Sequence, residues 1–343
     1  MKRFFAGLLV LLALMAIVMS TNKTFMKWIS DKRDNEHWWG VYQCIHGDLT
    51  GMSYLDYVQT FKAEKVNYDF GKYTVGKGNI NLYISGDSYT RKLNANVFHN
   101  LKSYHFGRRY FGQLKYHFPA KENNVLIIEI AERYFRDYFS YMRINEYDVF
   151  DSISHTVPPT NPQTASDENF INALFNKNIN QNLQYNLFNY NFLMPMFQVK
   201  AAINYHLFSR ASGDVVISNS GDFLFLKETV LSEGKNSSYS HISTEEKKQL
   251  IQNLNTAYDF YKKEGFTEVF LSIIPSTATM IQPENYNNLI PIIQNAPDLK
   301  MKIIDIYSHF LPNPRLYYLK GDTHWNEKGV KTWVDLVNNS VLL

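Results

Sequence analysis

Residues 125–130 read Val-Leu-Ile-Ile-Glu-Ile, a nearly unbroken apolar run only six residues long. A strand with one wet face alternates apolar and polar side chains, whereas a strand covered on both faces is apolar almost throughout. The run is therefore read as a strand inside a sheet that carries helices on both sides. Working outward, residues 79–85 (NINLYIS), 267–274 (TEVFLSII) and 302–306 (KIIDI) are further strand candidates. Helical patterns fall between and after them. Ser243, followed three residues later by Glu246, is a capping box that opens a helix running to Lys263, and Gly265 follows as its C-terminal cap. Residues 89–101 have helical spacing, and 327–341 close the chain as a helix. Buried strands alternating with helices predict an α/β fold built on a parallel sheet. In such sheets, active groups gather at the carboxyl ends of the strands.

The remaining segments are of other kinds. Residues 214–226 place VVIS and FLFL on either side of a turn at Ser220, Gly221 and Asp222. Residues 134–214 hold a polar stretch around Pro158, Pro159 and Pro162, then an Asn- and aromatic-rich segment, then an amphipathic stretch near 197–208. This region reads as an inserted subdomain or lid. Residues 21–78 form a mixed, aromatic lead-in. The expected organisation is thus a signal or anchor over 1–20, the lead-in over 21–78, a catalytic domain from 79–133 and 215–343, and the 134–214 insertion.

At the N-terminus, Lys2 and Arg3 precede an apolar run over residues 4–19, followed by Ser20, Thr21 and Asn22. A basic start, an apolar centre and small polar residues describe a secretory signal. A spanning helix needs about 20 apolar residues, so the run is also close to the length of an anchor. Either reading puts the rest of the chain in the periplasm or elsewhere outside the cytoplasm. Deleting the run is expected to leave a soluble body.

Composition narrows the function classes. The 343 residues are 45% hydrophobic and 20% charged, which excludes a disordered chain. A net charge of +3 without clustered Lys and Arg argues against nucleic acid as a partner. One cysteine, Cys44, excludes an internal disulfide framework and a multi-cysteine zinc site, and is read as a buried thiol. His99, His105 and His117 lack metal-ligand spacing, and Gly76-x-Gly78 is too sparse for a phosphate loop. Neither a metal nor a cofactor is expected. His46 with Asp48 is read as a turn.

Two short motifs carry chemistry. Gly86-Asp87-Ser88-Tyr89 stands directly after a strand and before the 89–101 helical pattern. A serine there sits at the strand's carboxyl end with its hydroxyl exposed, and a helix N-terminus beyond it offers free N–H groups to an oxyanion. Ser88 would serve equally as a helix N-cap. The second motif is Asp322-Thr323-His324-Trp325 before the last helix. In extended backbone, residues two apart point the same way, so Asp322 can orient one ring nitrogen of His324 and leave the other to activate a serine. Asp322 would equally cap the final helix. Taken together, the motifs supply a nucleophile, a base and an orienting carboxylate from the two ends of one sheet.

GDSY with a C-terminal DTHW resembles the SGNH hydrolase superfamily, and more closely the SGNH-like O-acetyltransferases of the alginate-acetylation type. GDFLFL at 221–226, IIPSTATMIQPENY at 273–286, YYLKGDTHWNEKG at 317–329 and EIAER at 129–133 resemble further blocks of that group. In that group the DTHW block precedes the serine motif. Here Ser88 precedes His324, so the order is permuted. The resemblance implies a three-layer α/β/α, flavodoxin-like catalytic domain and a Ser88–His324–Asp322 triad. It implies transfer of acetyl groups to an exported or envelope polysaccharide, with a membrane-bound O-acyltransferase as the acetyl-supplying partner. Hydrolysis of acetyl esters by the same triad is the alternative, and a non-catalytic polysaccharide-assembly protein is a second. The Ser88 N–H is the first oxyanion donor. Arg133 is a candidate second donor, or else pairs with Glu129 four residues earlier. Tyr89 and Trp325 are further substrate-side candidates, although Tyr89, next to the nucleophile, reads better as packing. Tyr185, Asn186, Phe188, Asn189, Tyr190 and Asn191 are candidate sugar contacts in the insertion, or core packing.

Overall fold

The computed structural model describes residues 2–30, 40, 42–108, 122–140 and 179–342. The Pro158–Pro162 stretch, His117 and residues 141–178 of the expected insertion lie outside them. The chain divides into two compact units. One comprises Met1–Ile45, Tyr54–Val58 and Thr156–Arg210, and the other comprises His46–Ser53, Gln59–His155 and Ala211–Leu343.

The larger unit is built on strands β1 (Ile80–Gly86), β2 (Leu101–Arg108), β3 (Asn123–Ala131), β4 (Val215–Ile217), β5 (Leu224–Leu226), β6 (Glu268–Ile274) and β7 (Lys302–Ile303). Five of them form one sheet in the order β2-β1-β3-β6-β7, every neighbouring pair parallel. Numbered along the chain within the sheet this is 2-1-3-4-5, the doubly wound order whose ligand crevice opens where the first and third strands part. Alternate residues of β1, β3 and β6 enter two separate cores. Leu82, Ile84, Val125, Ile127 and Phe270 pack with Val330, Trp333, Val334 and Val337 of the last helix, Glu327–Ser340. Tyr83, Leu126, Ile128, Val269 and Leu271 pack with Leu250, Leu254, Ala257 and Tyr261 of the helix Thr244–Lys263. Helices therefore cover both faces, as a run such as 125–130 requires.

The Ser243 hydroxyl accepts the Glu246 N–H at 3.1 Å, and Gly265 takes a φ of +109° as the helix ends. The Glu246 carboxylate completes no box. It binds Arg136 through Nε and Nη2, both at 2.8 Å. Residues 214–226 form an antiparallel β4–β5 hairpin separate from the main sheet, with Phe223 and Phe225 buried in the first core.

Two expectations need correction. Residues 89–101 do not form an α-helix: turns follow Ser88, a short 3₁₀ turn spans Ala95–Val97, and Leu101 begins β2. Side chains take up the local backbone groups instead, the Tyr89 N–H binding Asp87 at 2.9 Å. The strand over 302–306 is only two residues long. Asp305 ends it by capping the helix Ile306–Phe310, accepting the Ser308 N–H at 3.0 Å.

The smaller unit has four described helices, Lys2–Thr21, Lys23–Ser30, Ile179–Phe188 and Met194–Phe208. The first is long and apolar enough to cross a membrane, and most of its apolar side chains are exposed. Its last turn is docked. Ser20 is fully buried, its carbonyl accepting from Asn182 and its hydroxyl from Asn186, both at 2.8 Å. Elsewhere in this unit the buried Asp56 carboxylate accepts the Tyr42 hydroxyl at 2.6 Å, the Cys44 thiol at 2.8 Å and the Gln198 amide at 3.0 Å. Burial, together with that carboxylate, pushes the Tyr42 phenol far above its ordinary range. Cys44 is thus a half-buried hydrogen-bond donor.

Candidate active site

Ser88 stands two residues beyond the end of β1, and Arg133 two residues beyond the end of β3. These strands are neighbours, and their carboxyl ends flank the point where the strand order reverses. The turn that carries Ser88 is tied down on every side. The Asp87 N–H donates to the buried Glu129 carboxylate at 2.9 Å, and Thr90 Oγ1 donates to the same oxygen at 2.7 Å. Asp87 in turn accepts the Tyr89 N–H at 2.9 Å and the Ala131 N–H at 3.0 Å, linking the turn to the end of β3. A Cβ on Gly86 would lie 2.6 Å from Thr90 Oγ1 and 2.8 Å from Glu129 Oε2, so only glycine permits this clamp. Among the described residues the Ser88 N–H has no partner, whereas the N–H groups on either side of it are both bonded.

Opposite this turn, the segment before the last helix presents His324. Its Nε2 lies 2.8 Å from Ser88 Oγ, and its Nδ1 lies 2.6 Å from Asp322 Oδ1. The same carboxylate oxygen accepts the His324 N–H at 2.9 Å, which fixes the ring relative to its own backbone. The three side chains the motifs nominated thus stand in triad order, joined across 236 residues of sequence. Burial by itself would raise the Asp322 carboxyl, but the hydrogen bond from His324 and the imidazole's charge hold it below the ordinary range.

Tyr89 and Trp325 lie behind the triad. Tyr89 is almost fully buried, its hydroxyl donates to the Thr323 carbonyl at 2.6 Å, and its ring centroid is 4.8 Å from that of His324. Trp325 is fully buried, edge-on to Tyr89 at 5.2 Å. Neither ring presents a face to solvent, so both brace the Asp322–His324 segment from the core. Arg133 is also buried, stacked over Tyr134 with the guanidinium carbon 4.8 Å from the ring centroid. It opens the helix Glu132–Ser140 while Glu129 lies in β3, so helical i,i+4 spacing does not join them. Its Nε has no hydrogen-bond partner, and neither has Thr277 Oγ1. Both residues line a cavity of about 10 Å³ with Leu49, Phe225, Ala278 and Thr323, enough for one water-sized group.

Asp48, read from sequence as part of a turn, belongs to this site. Its N–H donates to Asp322 Oδ2 at 3.0 Å. Its carboxylate accepts the Thr323 N–H at 2.8 Å and the Thr323 hydroxyl at 2.5 Å, and lies 3.9 Å from His324 Nδ1. Burial and the nearby Asp322 charge push the Asp48 carboxyl above its ordinary range. The segment fits closely. Gly47 has a φ of +128°, and a Cβ there would lie 2.3 Å from the Gly321 carbonyl oxygen. Thr50 adds two bonds to that carbonyl, from its N–H at 3.0 Å and its hydroxyl at 3.1 Å. Nothing local in the sequence marks Asp48, because its partners are 274 and 275 residues away. Asp48, Asp322 and His324 hold ligand-type atoms within 4.8 Å of one another. These atoms already accept or donate hydrogen bonds within the triad and its loop.

No protein-family model, curated protein or solved structure matches this chain.

Proposed function

We propose that this protein is an extracytoplasmic SGNH-like O-acetyltransferase that moves acetyl groups onto an envelope or exported polysaccharide through a Ser88 acyl-enzyme. The observation that carries the reading is the continuous hydrogen-bonded path from Ser88 Oγ through His324 to Asp322. It has the order and the distances that nucleophilic catalysis by serine requires.

In this reading Ser88 Oγ attacks the acetyl carbonyl carbon and passes its proton to His324 Nε2. The negative oxygen of the tetrahedral intermediate is held by the Ser88 N–H, which no other described group occupies, and Arg133 is the second donor. The leaving oxygen takes the proton from Nε2 as its bond to carbon breaks. An acceptor hydroxyl then gives its proton to Nε2, attacks the acetyl carbon and displaces Ser88 Oγ, which recovers the proton. Throughout, Asp322 keeps Nε2 facing the serine and stabilises the imidazolium. With water as acceptor the same steps make an esterase. The motif resemblance favours a sugar hydroxyl, and with it a membrane-bound O-acyltransferase as acetyl source. The apolar N-terminal helix agrees with work at a membrane.

Incubation with an activated acetyl ester should add one acetyl group to Ser88, detected by peptide mass. Oligosaccharide acceptors should then be acetylated faster than acetate is released. Acetate release that dominates at saturating acceptor makes the protein an esterase, and an unmodified Ser88 overturns the acyl-enzyme.

A further inference from the structure

The helix Met194–Phe208 is apolar on two opposite sides. One side is used inside its own unit: Met194 and Ala201 are buried, and Phe197 packs on Tyr54 and Phe188, with ring centroids 5.3 and 6.0 Å apart. The other side carries Met196, Val199, Ile203 and Leu207, spaced by three, four and four residues and so aligned along one face. All four are exposed, Met196 to 70% and Leu207 to 72%. Lys200, Asn204 and His206 lie between the two apolar sides, and an exposed apolar patch rimmed by polar residues marks a protein or membrane contact.

The same unit shows which of the two applies. Its first helix, Lys2–Thr21, is the one that can cross a bilayer. The helix Ile179–Phe188 is docked on the end of it. Asn182 reaches the Ser20 carbonyl, which points toward the helix C-terminus. Asn186, one turn further on, reaches the Ser20 hydroxyl, which is turned back to the Ala16 carbonyl. The docked helix therefore runs back toward the apolar body of the first. It ends in exposed Leu187 and Phe188, and the ring of Phe188 meets Phe197 of the striped helix. The docked helix thus links the last turn of the spanning segment to the covered side of the striped helix. Trp28, half exposed on the short helix between them in sequence, suits the interfacial level, where tryptophan concentrates. Lys200 lies beside Met196, Val199 and Ile203 and can reach headgroups.

We propose that the Met196–Val199–Ile203–Leu207 face lies on the bilayer surface as a second membrane contact, its side chains sunk about 5–10 Å into the headgroup–acyl boundary. The occupant is lipid, and the inference does not depend on the chemistry at Ser88.

The test uses the full-length chain in nanodiscs of phosphatidylcholine with one-third phosphatidylglycerol. Cys44 is replaced by serine, and Met196→Cys, Ile203→Cys or Leu207→Cys is introduced singly and labelled with bimane. Brominated acyl chains should quench all three labels by at least about half, and Met15→Cys is the reference for a position within the apolar helix. Labels that are unquenched at positions whose free thiols, in the unlabelled variants, react freely with a soluble maleimide would mean that the stripe faces water, which overturns the proposal. Labels unquenched at positions whose free thiols are unreactive in the reconstituted protein would mean that protein covers the stripe, which also overturns it. Quenching at the stripe with Ser88 unacetylated would keep this inference and remove the acyl-enzyme reading.

Discussion

The helices Glu327–Ser340 and Met194–Phe208 are nearly equal in length and suit different surroundings. The first buries Val330, Trp333, Val334 and Val337 and turns Lys328, Lys331 and Asp335 to water. The second is covered on one side yet shows Met196, Val199, Ile203 and Leu207 on the other. An amphipathic helix completes a core by itself, whereas one apolar on both sides needs a second apolar medium. The unit with the parallel sheet is closed in this sense and holds the triad. The other unit leaves apolar surface open and holds the membrane-length helix.

The contrast is broken most directly at Ser88. Ser88→Ala should lower acyl transfer by about 10⁶-fold, as removal of a triad serine does elsewhere. Its melting temperature and membrane retention should match wild type, and a turnover assay beside a membrane-fraction blot would check both. A comparable loss from substitutions confined to the striped helix would break the division of labour.

Asp322→Asn should cost about 10⁴-fold in kcat, because an amide favours the wrong imidazole tautomer and leaves the imidazolium unsupported. Steady-state kinetics should show KM little changed. A raised KM with kcat preserved would mean that Asp322 serves the substrate instead of His324.

Stability sharpens the comparison next. Trp333→Ala removes a fully buried ring and leaves the Ser272 hydroxyl, now 2.8 Å from the indole nitrogen, without that donor. The expected loss is about 3–5 kcal/mol. Ile203→Ser, on the exposed stripe, should stay within about 0.5 kcal/mol in detergent. Denaturant titration of the two variants would separate a side chain held by core from one awaiting lipid.

The smallest effect belongs to Asp48, whose side chain is 39% exposed. Its carboxyl is raised by burial and by Asp322, so its ionised form disfavours the fold. That cost is absent in acid, grows as pH rises from the ordinary aspartate value of about 3.9 to the raised native value, and is constant above it. Asp48→Asn keeps the shape without the charge. It should therefore gain stability over wild type across that window, with no growing advantage below it. Asp322 works in the opposite sense. Its lowered carboxyl stabilises the fold above the ordinary range, and that contribution disappears as pH falls through the lowered native value. Urea midpoints between pH 3 and pH 7 (~one unit apart) would read both, and an Asp48→Asn advantage that shrinks toward neutral pH would reverse the assigned sign.

Much of the site is legible in the amino-acid sequence. Apolar runs locate β1, β3 and β6 to within one or two residues, because a strand buried on both faces is apolar at most of its positions. Gly86-Asp87-Ser88 and Asp322-Thr323-His324 are legible because each motif makes its own turn: Asp87 binds Tyr89, and Asp322 binds the His324 N–H. The edge strand β2 is not. Its sequence, LKSYHFGR, has the mixed polarity of a strand half in water, and its place is set by pairing with β1. Helical spacing over 89–101 misleads because Asp87 and Glu129 satisfy polar groups at the start of this region without a helical ladder.

The sequence by itself determined the strand–helix alternation, the serine turn, the Asp–x–His pair and the apolar N-terminal run, since each depends on neighbours a few residues apart. Only the tertiary structure decided that Ser88 meets His324, that Asp48 belongs to the same centre, that Tyr89 and Trp325 face inward, and that Met194–Phe208 leaves one apolar side uncovered. Those facts depend on contacts between residues remote in the chain, which side-chain polarity along the sequence does not record. Burial and pairing across the fold choose among the partners that local pattern leaves open.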